Sequence, residues 1–252
     1  GTMAINMPFR QIHLDFHTSI QIPDVGHKFD ADAFADMMAE AHVNSATIFA
    51  KCHHGHLYYH TKHEARHPAL PKNLDMLGEL IEALHKRGIK APIYISVQCD
   101  EYAAMTYPQW CVVTPDGKMA RSSLLEAAWH LVDMSSPYQD YLADQIEEIV
   151  RRFKPVDGIF LDMCWNQPSI SKWALDGMSK RGYDAEDEAD RWKYAHEVSL
   201  QYMDRYKKLI EATNKRKPVR IWYNSRAVYR NLPEEKIFVS HIELEALPTG
   251  GW

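Results

Sequence analysis

An apolar run of strand type, Gly158-Ile159-Phe160-Leu161, delivers one carboxylate, Asp162, followed three residues on by the indole of Trp165. An acid at the end of a buried strand is costly unless it has a task or a partner. In an α/β barrel that position opens into the mouth, where reacting groups sit. Asp162 is therefore the candidate nucleophile of a sugar-cleaving enzyme. The bland alternative is an acid that caps the next helix or pairs with a nearby base. A retaining glycosidase needs a second carboxyl about 5–5.5 Å away, kept protonated by its surroundings. Glu243 and Glu245, two residues apart in His241-Ile242-Glu243-Leu244-Glu245, share one strand face and are the candidates for this acid/base, with Glu243 slightly favoured. Their plain alternative is a rim acid bound to an arginine.

Other polar groups cluster at strand ends. In Ile12-His13-Leu14-Asp15-Phe16-His17, period two puts His13, Asp15 and His17 on one face, and three polar groups on a buried face each need a partner. A second segment ends in Lys51-Cys52-His53-His54, followed by Gly55-His56 and then His60, His63 and His67. Neutral imidazoles and a lysine can hold sugar hydroxyls, and Asn224, after Trp222-Tyr223, can donate to one. Trp165 is either a stacking platform or a core indole. The histidines also raise a zinc reading, but their spacing matches neither H-E-x-x-H nor a Cys/His finger. No metal and no cofactor are expected.

The elements that must position these groups alternate along the chain. Strands are expected at 12–17, 45–51, 91–97, 158–163, 219–224 and 238–244, and helices at 29–41, 74–87, 138–153 and 188–213. Asp30 or Asp32 lies near the start of the first helix, Gly88 closes the second, and Ser135 or Ser136 caps the third ahead of Pro137. Between them, 98–133 is an insertion whose Trp110, Arg121, Trp129 and His130 could form a lid or subsite wall. Such alternation predicts an α/β fold. The first strand is followed by Thr18-Ser19-Ile20, not G-x-G-x-x-G, and polar residues gather after nearly every strand. Both points favour a (β/α)8 barrel of the TIM type in one domain, 1–252, over a doubly wound sheet. About six βα units are recognisable. Either the C-terminal strands are missing, making the chain a fragment with exposed sheet edges, or the insertion supplies the others.

Two motifs carry a resemblance. Lys51-Cys52-His53-His54-Gly55-His56-Leu57-Tyr58 resembles the K-H-H-D-G-F motif that follows the second barrel strand of retaining α-L-fucosidases and contacts the sugar. Leu161-Asp162-Met163-Cys164-Trp165 resembles their strand-four W-x-D-M-x-W segment, whose aspartate is the nucleophile. His17 matches the position of a further sugar-contacting histidine. The chain is more similar still to a fucosidase-like barrel group of the hypothetical glycosyl hydrolase type, whose members often carry extra C-terminal domains. The resemblance implies an exo-acting, retaining hydrolase with Asp162 as nucleophile, and it leaves the acid/base unassigned. The chain departs from the motif at Cys52 and His56 and lacks its aspartate, where the sugar would be held.

Two other reactions fit the same residues. One is an inverting glycosidase using Asp15 or His17, and the other a metal-dependent hydrolase using His13, Asp15, His17 and the His53–His54 pair. A catalytically silent sugar-binding module is a third.

The bulk composition is ordinary for a soluble globular protein: 252 residues, 46% apolar and 25% charged. A net charge of −5 and the absence of a basic stripe argue against nucleic acid, and no apolar stretch approaches a membrane span. The expected partner is a carbohydrate, an oligosaccharide or glycoside, with a homo-oligomer allowed. Fourteen histidines, 13 tyrosines and seven tryptophans suit a sugar pocket, although rings also fill ordinary cores. Four separated cysteines suit reduced thiols. Gly1-Thr2-Met3 resembles a short scar before a native methionine, so a cytoplasmic location and a periplasmic or secreted one with signal peptide removed both stay open.

Overall fold

A computed structural model describes residues 8, 10–124 and 127–224, with the backbone alone at 122–124 and 127–128. Five parallel strands form one sheet: β1 (Gln11–His13), β2 (Ser45–Lys51), β3 (Ile93–Ser96), β6 (Gly158–Asp162) and β7 (Arg220–Tyr223), in the order β1-β2-β3-β6-β7. The helices among the described residues are α1 (Ala31–Glu40), α2 (Met76–Lys86), α3 (Glu101–Thr106), α4 (Tyr138–Arg152), α5 (Lys172–Lys180) and α6 (Glu188–Thr213). The long insertion adds α3, a 3-10 turn at Pro108–Trp110 and an antiparallel hairpin, β4 (Arg121–Leu124) with β5 (Ala127–His130). The hairpin forms a sheet of its own and does not extend the parallel one.

The sheet is curled. Along it, alternate residues are aromatic: Phe49, Tyr94, Phe160 and Trp222 stand in register on β2, β3, β6 and β7. Phe49 stacks on Tyr94 at 3.8 Å, and Phe160 on Trp222 at 5.3 Å. His13 of β1 lies 5.4 Å from Phe160 of β6, although β2 and β3 intervene. In a flat sheet, strands three places apart would stand roughly 14 Å apart. The rings therefore line the concave side of a half-barrel. The other alternate positions are aliphatic (Ile48, Ile93, Ile95, Ile159, Leu161, Ile221) and buried, as expected where helices cover a parallel sheet.

Local chemistry explains the boundaries. Asp30 caps α1, accepting from Ala33 N at 2.9 Å. Gly88 takes φ +70 beyond α2, and Ile89 N returns to Leu84 O, closing the helix as glycine allows. Ser136 Oγ accepts from Tyr138 N at the start of α4. In α6, Tyr194, Val198, Tyr202, Tyr206 and Ile210 recur every fourth residue and are buried, which seats a 26-residue helix on one apolar stripe. Helix α5 lies between the expected strand at 158–163 and the expected helix at 188–213, where no helix is anticipated from the sequence. Its buried residues, Ala174 and Met178, stand one helical turn apart, a short signal in a nine-residue helix. Strand β1 is also shorter than expected, ending at His13. The segment 238–244 lies outside the described residues.

The N-terminal end of the sheet, opposite the strand ends that carry Asp162, is tied by Asp157. Its carboxylate receives His85 Nε2 at 2.7 Å, Ala91 N at 2.9 Å and Lys217 Nζ at 3.3 Å. Burial alone would raise its pKa, but the hydrogen bonds from His85 and Ala91 and the charges of His85 and Lys217 outweigh it and hold the group well below the usual carboxylate range. Asp157→Ala is expected to lower unfolding free energy by about 2–4 kcal/mol, read by urea titration. The wild-type advantage over Asp157→Asn should be fully present above about pH 4 and shrink as the pH falls toward the depressed value, because the unfolded chain takes up the proton first.

Candidate active site

Asp162 is the last residue of β6, on the concave face, with 10% of its side chain exposed. Four groups surround its carboxylate. Oδ1 accepts from Met163 N at 2.8 Å and Asn224 Nδ2 at 2.9 Å. Oδ2 accepts from the Tyr94 hydroxyl in a short bond and lies 3.8 Å from His53 Nε2. The donors are neutral, so they orient the carboxylate without a paired cation. Met163 itself adopts φ +58, a conformation uncommon outside glycine. The chain departs sharply from the strand at the residue after the acid. The alternative of a helix-capping acid is not what is observed: the caps of α5 and α6 are Ser171 and Asp187.

The histidines divide. His53 is buried, its Nδ1 2.7 Å from Ser96 Oγ, and its ring lies 4.5 Å from that of His17. Burial first, then repulsion from His17, His54 and Lys51, pulls its pKa down to about 3. His17 is likewise lowered by burial, against the pull of Asp15 and Asp162. His54, half-buried, sits edge-on to Trp129 at 4.8 Å, and His53 lies 5.6 Å from the same indole. His13 stands over Phe49, Tyr94 and Phe160 at the floor of the mouth.

The shared buried face expected for His13, Asp15 and His17 is not formed. The strand ends at His13, and Asp15 has 73% of its side chain exposed, 3.3 Å from His13 Nε2 and 3.9 Å from His17 Nε2. Among the described residues no group of three or more His, Cys, Asp or Glu is arranged to hold a metal ion.

Lys51 does not open on the mouth. Strict alternation would place it on the concave face with Phe49, but a β-bulge intervenes: Phe49 pairs with Tyr94, and Lys51 with Ile95, the very next residue. Lys51 is thereby turned toward the helices, where its ammonium is fully buried and gives its three protons to Asp100 Oδ2 (2.6 Å), Tyr138 OH (2.8 Å) and Gln145 Oε1 (3.1 Å). Burial pulls its pKa down and the Asp100 charge opposes this. Asp100 in turn caps α3 through Ala103 N, and the first amides of α3, Glu101 N and Tyr102 N, bond His53 O and His54 O at 3.1 and 3.0 Å. A Cβ on Gly55 (φ +84) would stand 1.9 Å from Asp100 Oδ1. The histidine loop is thus clamped onto a helix terminus by a buried ion pair.

Asn224 meets the carboxylate of Asp162. Trp165 is half-buried and packs with Trp129 against Cys99, Val112, Ala120, Leu131 and Met163, its amide bonded to Gln98 Oε1 at 2.6 Å. Of the insertion residues, Trp129 reaches the histidines. His130 is held by Glu101, whose Oε2 is 3.0 Å from Nδ1. Trp110 stacks on Tyr107 at 4.0 Å, away from them, and Arg121 is exposed. Glu243 and Glu245 lie outside the described residues. Tyr94, Ser96 and Gln98, which the sequence reading passed over, all serve the mouth. They alternate with Ile93, Ile95 and Val97, the same period-two signal that singled out the first strand. A separate cleft of about 510 Å³ lies beside α1 and α2 among Phe16, Phe29, Phe34, Ile48, Met76 and Leu80. It is apolar and does not include Asp162 or His53.

A curled parallel sheet that bears a carboxylate, imidazoles and indoles beyond its strand C-termini places the chain among barrel-type α/β domains. Residues 30–163 match the family described as hypothetical glycosyl hydrolase 6, and the chain belongs to it. An α-L-fucosidase, isoenzyme 2 from Paenibacillus thiaminolyticus, is similar over 98% of this chain and 37% of its own, with 36% identity and a TM-score of 0.89. This chain therefore spans little more than a third of that relative's length. An α-L-fucosidase from Bacteroides thetaiotaomicron (18% identity, TM-score 0.51, 80% of this chain and 35% of that one) shares the fold. So does a hypothetical protein from Ruminiclostridium thermocellum (13% identity, TM-score 0.53, 85% and 96%). No curated protein matches the chain.

Lys51→Met should destabilise the protein by about 3–5 kcal/mol, because it leaves Asp100 buried without its counter-ion. Lys51→Met combined with Asp100→Asn should recover part of that loss. The four-variant cycle in urea measures the coupling, and strict additivity would show that the pair does not clamp the loop.

Proposed function

We propose that this chain is the catalytic part of an exo-acting, retaining glycoside hydrolase, α-L-fucosidase-like, with Asp162 as nucleophile. The observation that carries the reading is the setting of Asp162. It is a nearly buried carboxylate fixed by three neutral donors, at a strand end, among imidazoles and half-buried indoles. A fixed anion without a paired cation is oriented to attack yet not neutralised. The likeness to the Paenibacillus enzyme supports fucose or a related glycoside as the substrate. The five strands are read as part of a (β/α)8 barrel, with residues 1–252 as one domain and 98–133 as its insertion. Trp129 would form a wall of the pocket and Trp165 a stacking surface.

In this mechanism an Asp162 oxygen attacks the anomeric carbon as the bond to the leaving oxygen breaks. Glu243 or Glu245 gives that oxygen its proton. The same Glu then takes a proton from water, which displaces Asp162 and releases the sugar. Both steps pass through an oxocarbenium-like state. Asn224, Tyr94 and Met163 N hold the nucleophile, and His53, His54 and His17 face the sugar. No cofactor enters the reaction.

Asp162→Ala should lower kcat on an aryl α-L-fucoside at least about a thousandfold while calorimetric titration still detects substrate binding. Near-normal turnover would remove Asp162 from the nucleophile role. Proton NMR of the first-formed product should show the anomer of the substrate, and the opposite anomer would exclude the covalent route. Of Glu243→Ala and Glu245→Ala, one should abolish hydrolysis of substrates with poor leaving groups while sparing the first step on activated aryl glycosides. Equal effects on both substrate types would show that neither residue is the acid.

A further inference from the structure

The hydrogen bonds of Ser96 bear on which nitrogen of His53 carries the proton. Ser96 Oγ is fully buried and has a single hydrogen; given to Cys99 O, 2.8 Å away, which can only accept, that hydrogen is not available to His53. Its remaining capacity toward His53 Nδ1, 2.7 Å away, is to accept. Nδ1 is therefore the protonated nitrogen, and the neutral ring carries a lone pair on Nε2. Among the described residues Nε2 makes no hydrogen bond. It faces Asp162 Oδ2 at 3.8 Å, too far for one and acceptor against acceptor. The other tautomer would point an N–H at the nucleophile and withdraw charge from it. As built, the donors to Asp162 are Tyr94, Asn224 and Met163 N, and the histidine beside them waits for a donor of its own. Ser96 and Cys99 belong to the turn that leaves β3, so the strand end sets the polarity of a residue on the neighbouring loop.

We infer that Ser96 is a positioning residue that locks His53 as its Nδ1–H tautomer, so that Nε2 accepts a hydrogen bond from a hydroxyl of the sugar held against Asp162. This rests on the glycosidase reading above and goes past it: it gives the direction of one sugar contact and names the residue that enforces it. The depressed basicity of His53 agrees, since a ring that stays neutral through the acidic range keeps its lone pair. A pocket built to receive a hydroxyl proton at that point discriminates against a sugar that lacks the hydroxyl or carries it as a methyl ether.

Long-range proton–nitrogen correlation spectra of the full chain, labelled at histidine, test this without turnover. The expected His53 is the Nδ1–H tautomer, and addition of L-fucose should move its Nε2 resonance in the direction of an accepted hydrogen bond. Ser96→Ala should give a mixed or reversed tautomer and cut kcat/KM on the aryl α-L-fucoside by about ten- to a hundredfold. It should also weaken the discrimination among the monodeoxy fucosides at one hydroxyl. Ser96→Thr, which keeps the oxygen, should restore the tautomer. An Nε2–H ring in the wild type overturns the inference, as does an unmoved Nε2 in a chain that hydrolyses the fucoside. If Ser96→Ala does not fold, the wild-type spectra still decide. A fixed Nδ1–H ring in a chain that cleaves no aryl glycoside supports Ser96 as the lock and overturns the glycosidase reading, and with it the sugar hydroxyl as partner.

Discussion

A single buried ion pair, Lys51 with Asp100, holds the arrangement on which the rest of the mouth depends. Three elements meet there: β2 supplies the cation, α3 begins at the anion, and α4 supplies Tyr138 and Gln145 to complete the ammonium's hydrogen bonds. Burying both charges is expensive, and the pair is tolerable because every proton of the lysine has an acceptor. In exchange the His53–His54 loop is fixed against a helix end rather than left to solvent. A salt bridge on the surface could not impose that constraint, because water would compete for both partners.

On the concave side the chemistry is of the opposite kind. Around Asp162 the donors are a phenol, an amide side chain and a backbone amide, and the imidazole nearest to it is neutral. Charge is therefore concentrated on one carboxylate while the cation that might have quenched it is used on the other side of the sheet. The β-bulge between Phe49 and Lys51 creates this division. One extra residue turns the lysine outward and lets the chain go on to present the histidines inward.

The strand–helix alternation, the helix limits and the role of Asp30, Gly88 and the α6 stripe were legible in the residues, because each follows from periodicity or from local capping chemistry. The C-terminal position of Asp162 on a strand was legible for the same reason. Lys51 was not, because a bulge changes facing without leaving a mark in the side-chain pattern. Asp15 falls off the expected face because β1 has three residues where the alternation predicts six. Tyr94 and Ser96 carry a readable alternation, and α5 only a short one, Ala174 and Met178 one turn apart within nine residues. The role of Asn224 depends on β7 lying beside β6, a pairing between residues 62 apart that no local pattern contains.

The left-handed turn at Met163 has an evolutionary side. The position right after the acid must hold a backbone shape that β-branched side chains strongly resist, while glycine, asparagine or an unbranched residue can adopt it. Drift at this site should therefore be closed to valine, isoleucine and threonine, and, because the side chain is buried against Cys99, Val112, Ala120 and Leu131, to charged residues as well. A lineage that acquired one of those would strain the turn that takes the chain off β6, and the path toward Trp165 would shift while Tyr94 and Asn224 still held the carboxylate.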